Sequence, residues 1–159
     1  MYPYNINKKY PDKSDIKLVM SADAQTISEM LYDAIDDENE DFAKYTALAN
    51  IIGNNEDSEI LRSISYDEYK HRQLFEEIYT MLVGKRPEIK EEAEEIKPNE
   101  LREELVDQLF DEMEAVEMYR ELMAAFGNSE IRDIIFEIIT DEQAHASILN
   151  YLINKYPAK

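Results

Sequence analysis

The chain has 159 residues, no cysteine, and 36 acidic against 17 basic side chains, for a formal net charge of −19. That length is one domain's worth of sequence and can bury a core without staples. The charge works against binding a phosphate backbone, and the missing thiols exclude disulfides, thiolate zinc sites and cysteine-ligated iron–sulfur centres.

Only three glycines and five prolines, with abundant Glu, Lys, Leu, Ile and Ala, favour an all-α fold. Residues 1–20, with Pro3 and Pro11, read as an N-terminal arm: either disordered, the preferred reading, or packing its tyrosines on a partner subunit. The arm lacks the apolar stretch of a signal peptide, and no later run reaches transmembrane length, so a cytoplasmic protein without membrane partners is expected. The remainder, 21–159, is expected to be one bundle.

Ser21 is the expected N-cap of a first helix running to about Ile52 and stopping at Gly53-Asn54-Asn55. The second runs from about Glu56 to Val83, before Gly84. A segment holding Pro87 and Pro98 follows, with a turn of helix expected within 88–96. The third helix runs from near Asn99 to Gly127, and the fourth from about Ser129 to Tyr156, ahead of Pro157. The short links at Gly53 and Gly127 make two antiparallel hairpins, and residues 85–98 are long enough to cross the length of a bundle between them.

The hairpins repeat each other. Tyr45 precedes Gly53 by eight residues and Tyr119 precedes Gly127 by eight, while Gly53 to His71 and Gly127 to His145 are both eighteen. A duplicated unit and an approximate two-fold axis follow from these matched spacings.

Both histidines of the chain lie in Glu-x-x-His, as Glu68/His71 and Glu142/His145, each led by an Asp, Asp67 and Asp141. Positions i and i+3 share a helix face, so each pair aims a carboxylate and an imidazole at one point. Each pair also interrupts an apolar stripe: Ile60, Ile64, Phe75 and Ile78 in the second helix, Ile135, Ile138, Leu149 and Leu152 in the fourth. Helices one and three each carry a single Glu in such a stripe, Glu38 and Glu112, both thirty residues before the Glu of the motif that follows. Most of the other carboxylates read as solvated helix faces.

Six residues therefore converge at mid-bundle. Desolvating an ionised carboxylate costs several kcal/mol, roughly, even after relaxation, against a domain stability of about 5–15 kcal/mol. Four buried carboxylates must be protonated or bound to cations, and two divalent ions balance their charge while leaving neutral imidazoles as ligands. Such oxygen and nitrogen donors suit iron and manganese alike. Tyr45 and Tyr119, seven residues after Glu38 and Glu112, project the same way and either hydrogen-bond those carboxylates or simply pack.

Over about residues 21–156 these motifs resemble the ferritin-like di-iron carboxylate superfamily, specifically its rubrerythrin-like and bacterioferritin-like branch. The resemblance implies a ferritin-like four-helix bundle holding two iron ions, with manganese as the alternative. Glu68 and Glu142 would bridge the ions, Glu38 and Glu112 would be terminal ligands, and His71 and His145 would each bind one. Asp67 would support His145, and Asp141 would support His71. Rubrerythrins carry a further glutamate three residues past the helix-three ligand, where this chain has Ala115. A π-bulge would present Asp111 and Glu114 instead, but the internal repeat selects Glu112 without one.

By the same resemblance the chain is a non-haem di-iron oxidoreductase, a peroxidase or oxidase acting on hydrogen peroxide or dioxygen in oxidative stress. The alternative is a protein that binds or sequesters iron or manganese without turnover. With no rubredoxin-type cysteines in the sequence, an external electron donor protein is expected, and a homodimer is expected from the family.

Overall fold

A computed structural model describes residues 17–19, 22–90 and 92–156. Among these are four helices: α1 (Ala24–Ile51), α2 (Asn55–Val83), α3 (Leu101–Ala125) and α4 (Ser129–Lys155). The tightest pairings are α1 with α2 and α3 with α4, and α1 against α3 and α2 against α4 close the bundle. This is the all-α, ferritin-like arrangement of two hairpins and one crossover.

Local chemistry sets the ends. Asp23 caps α1, accepting from the Thr26 backbone N–H at 3.0 Å; Ser21, the expected cap, lies outside the described residues. Asn54 caps α2 by accepting from the Asp57 N–H at 3.1 Å. Gly53 and Gly84 take φ of 75° and 85°, the left-handed region that ends a helix at little cost only for glycine.

The crossover differs from expectation. None of its described residues forms the turn of helix expected within 88–96. At ~3.3 Å per residue, residues 85–98 reach about 46 Å when extended, close to the length of a bundle helix at ~1.5 Å per residue; coiling part of the segment would leave it short. Like charges at Glu88, Glu92 and Glu95 also disfavour a helix. The extended chain is instead tied to α1, where Tyr32 donates to the Glu88 carbonyl (3.0 Å) and Asn39 to the Lys90 carbonyl (2.9 Å). Ile96 is buried at its far end.

The last part of the arm is also held. Leu18 forms an antiparallel bridge with Phe126, the Val19 N–H donates to the Ala125 carbonyl, and the Gly127 N–H donates to the Lys17 carbonyl at 2.6 Å. A Cβ at Gly127 would sit 3.2 Å from that carbonyl oxygen, so any side chain there would push the Lys17 backbone away by a few tenths of an ångström. Residues 1–16, on which the choice between disorder and a partner contact turns, lie outside the described residues.

At one end of the bundle Asp57, almost fully buried, accepts from Lys155 at 2.8 Å and from the Tyr156 hydroxyl at 2.5 Å. This locks the last turn of α4 to the first turn of α2. Hydrogen bonds to a charged group contribute roughly 1.5–3 kcal/mol each, and solvent screens the share of Lys155, whose side chain is 36% exposed, so Asp57→Ala is expected to cost about 3 kcal/mol, read as a lower urea midpoint at unchanged m.

The apolar core falls into two blocks. One, with Leu31, Ile35, Phe75, Leu122 and Ile135, fills the end near Phe126, and the other, with Leu48, Leu61, Leu105 and Leu149, fills the end near Ile52. Between them lies a layer of acids and imidazoles.

Candidate metal centre

Each helix contributes one glutamate to that layer, Glu38, Glu68, Glu112 and Glu142, and α2 and α4 add His71 and His145 one turn on. All six are at most 5% exposed. The burial follows from phase: these positions continue the apolar stripes, so packing the stripes forces them inward. Helix α3 is a regular α-helix through this point, with Glu112 inside and Asp111 and Glu114 exposed, so no bulge brings the latter pair to the centre.

Both imidazoles turn Nδ1 toward the carboxylates. His71 Nδ1 lies 3.0 Å from Glu68 Oε2, 3.1 Å from Glu142 Oε1 and 3.6 Å from Glu38 Oε2. His145 Nδ1 lies 3.0 Å from Glu68 Oε1, 3.1 Å from Glu142 Oε2 and 3.6 Å from Glu112 Oε2. Glu68 and Glu142 thus give one oxygen to each histidine, whereas Glu38 and Glu112 each serve one side. One donor atom from each of Glu38, Glu68, His71 and Glu142 falls within 4.8 Å of the others, and the same holds for Glu68, Glu112, Glu142 and His145.

Around the layer the contacts cross between the halves. Tyr119 on α3 donates to Glu38 Oε1 on α1 at 2.6 Å, and Tyr45 on α1 donates to Glu112 Oε1 on α3. His71 Nε2 faces Asp141 Oδ2 at 3.4 Å, and His145 Nε2 faces Asp67 Oδ2 at 3.6 Å. Asp67 is also paired with Lys70. The reciprocal pattern is that of a two-fold axis through the layer.

Without cations the layer must share protons. Burial, then the charge of Glu142, pushes the Glu38 carboxyl well above its ordinary range, and burial with the charges of Glu142 and Glu68 does the same to Glu112. Burial opposes the protonation of both histidines, yet Glu142 and Glu38 raise His71, and Glu68, Asp67 and Glu112 raise His145, well above the usual imidazole value. Burial likewise opposes ionisation of Glu142, but His71 and His145 hold its carboxyl below the usual range.

The donor set fits a pair of hard or borderline divalent cations. Glu68 Oε1 and Glu142 Oε1 are buried without a hydrogen-bond partner although an imidazole nitrogen is 3.0–3.1 Å away. They are close to a donor but off its hydrogen-bonding direction, and an unpaired buried carboxylate oxygen is costly. Oxygen and imidazole donors converging this way match iron or manganese coordination.

Two residues beside the layer escaped the sequence reading. Asp41, one turn past Glu38, is partly buried, and its carboxyl is raised well above the usual range by burial and then by Glu68, against a hydrogen bond from Gln108. Gln108 itself is fully buried on α3. The available signal was the repeat: a shift of 74 residues maps Glu38 onto Glu112 and His71 onto His145, but Asp41 onto Ala115 and Ala34 onto Gln108.

Among the described residues no helix is long and apolar enough to cross a membrane. No curated protein matches the sequence. A solved structure, a hypothetical protein from Pyrococcus furiosus, superposes with a TM-score of 0.71 at 22% identity, covering 80% of this chain and 88% of its own. That likeness shows the fold. The sequence pattern of the Rubrerythrin family matches residues 29–121, a span that contains Glu38, Glu68, His71 and Glu112. With that match and a buried carboxylate–histidine layer that fits a di-iron site, the chain belongs to the rubrerythrin family, whose ferritin-like domain it forms.

Proposed function

We propose that this chain is a non-haem di-iron oxidoreductase that reduces hydrogen peroxide or dioxygen. The observation that carries the reading is the pair of four-residue donor groups overlapping in Glu68 and Glu142. Glu38, Glu68, His71 and Glu142 would hold one ion and Glu68, Glu112, Glu142 and His145 a second, with Glu68 and Glu142 common to both groups. Iron bound at such a centre supplies electrons and Lewis acidity.

The chain's own groups orient and shield. Asp141, within hydrogen-bond reach of His71 Nε2, and Asp67, 3.6 Å from His145 Nε2, favour a proton on each Nε2, which leaves the Nδ1 lone pairs facing inward and makes them more basic. The Tyr119 and Tyr45 hydroxyls hold one oxygen of Glu38 and Glu112 and leave the other, Oε2, toward the histidines. The apolar blocks above and below keep water out and strengthen the electrostatic interactions within the layer. A donor protein is proposed to supply the electrons.

Anaerobic Fe(II) titration followed by peroxide or air tests this reading. Uptake of two ions per chain, rapid oxidation, and renewed turnover on adding reductant are expected. Uptake of iron or manganese without turnover would instead favour sequestration, a use the same oxygen and nitrogen donors also serve.

A further inference from the structure

We propose that the groove between α1 and α3 is the route by which divalent cations reach the centre, with Asp41 as its innermost station. The proposal rests on the metal-centre reading above. The groove encloses about 390 Å³ and is lined by Asp37, Glu40, Asp41, Asp111 and Glu114, with Lys44 as its basic lining residue. Lys44 pairs with Asp111 at 3.8 Å, which leaves four of the five acids against it; a cleft of predominantly one sign of charge concentrates counter-ions and raises association rates by roughly 10–10³.

Its floor touches the centre. Ala115 and Tyr119 also line the groove, and Tyr119 is the residue whose hydroxyl donates to Glu38. The groove also lies on the approximate two-fold axis, because that axis exchanges α1 with α3. The shift of 74 residues maps Asp37 onto Asp111 and Glu40 onto Glu114, so two acid pairs flank the line that leads between the two donor groups.

Gln108 gives an independent sign of a ligand. It is 0% exposed, and its amide is aimed at the groove wall: Nε2 donates to Asp111 Oδ2 at 2.9 Å, and the amide is close enough to Asp41 to hold that carboxyl's value down against burial. Its Oε1 has no partner. A buried amide oxygen beside two carboxylates is a ligand for a hard cation. Packing does not demand this pair, since the equivalent positions, Ala115 and Ala34, are both alanine.

The groove passes ions on and does not store them. Among the described residues, acids and histidines gather within 4.8 Å only at the centre, and the groove acids are more widely spread. Their contribution is therefore to the rate of loading and not to the final occupancy.

Stopped-flow uptake of Co(II), followed by its visible d–d absorption in the full chain, tests this. Asp41→Asn is expected to slow loading about tenfold and still to reach two ions at equilibrium; Glu59→Gln, the same acid-to-amide change on the exposed face of α2, should load at the wild-type rate. Asp41→Ala, which copies the alanine tolerated at 115, should slow loading likewise and serves if the first variant folds poorly. Wild-type rates in both Asp41 variants, equal slowing in the Glu59 control, or a final occupancy of one ion would each overturn the proposal. A wild-type chain that took up no Co(II) would overturn it together with the metal-centre reading, whereas the other outcomes leave that reading standing.

Discussion

Glu68→Ala is expected to abolish the uptake of both metal ions, whereas His71→Ala should cost only one. The contrast follows from which atoms face which imidazole. Glu68 places Oε2 3.0 Å from His71 and Oε1 3.0 Å from His145, so its removal takes a donor from both groups. His71 belongs to one group alone. Metal equivalents per chain after gel filtration should read two for the wild type, one for His71→Ala and for His145→Ala, and close to none for Glu68→Ala. Far-ultraviolet circular dichroism should be unchanged throughout, because the helices are held by the two apolar blocks on either side of the layer. Asp141→Asn should be milder, weakening the ion beside His71 about 10–100-fold, the usual cost of losing the carboxylate behind a ligating imidazole. Two ions retained by Glu68→Ala would show that the ions sit elsewhere.

The parts of this structure that were legible in the sequence are those that local rules determine. Glycine at 53 and 84 marks helix ends because only glycine takes positive φ without strain. The inward phase of Glu38 and Glu112 could be read because each sits at i+3 or i+4 spacing from isoleucine, leucine or phenylalanine on a long amphipathic helix. The crossover conformation was not legible. It depends on the distance between two helix ends and on Tyr32 and Asn39 reaching carbonyls more than fifty residues away. The lock of Asp57 to Lys155 and Tyr156 was hidden for the same reason, since a first-turn Asp reads as a helix-dipole partner until the end of α4 is placed beside it. Asp41 and Gln108 were passed over because the internal repeat draws attention to what the halves share, while this pair lies where they differ.

Stripped of metal, the protein is expected to lose stability as pH rises from 6 to 8, and added divalent ion should restore more stability at pH 8 than at pH 6. Glu38, Glu112, His71 and His145 all have folded-state values raised well above their ordinary 4.5 and 6.5. A group that holds its proton more tightly when folded stabilises the fold below its unfolded value, and that contribution is lost as pH climbs through the folded value. Glu142 has the opposite sign, because its depressed value stabilises the fold above the ordinary carboxylate range and is lost only in acid. Between pH 6 and 8 these four groups, with Asp41 acting in the same sense, therefore govern the slope, and it is downward. Metal ions compete with the same protons, since the ligands must give them up to bind, so affinity should rise over the interval in which the metal-free fold weakens. At a hundredfold excess over Kd each ion adds about 2.7 kcal/mol; two ions add roughly 5 kcal/mol, or about 10–20 °C in Tm for a chain of this size. Thermal melts with chelator and with Mn(II), each at pH 6 and pH 8, measure the gap directly. An equal gap at both pH values, or a metal-free chain more stable at pH 8, would mean that the buried acids and imidazoles are not held in check by shared protons.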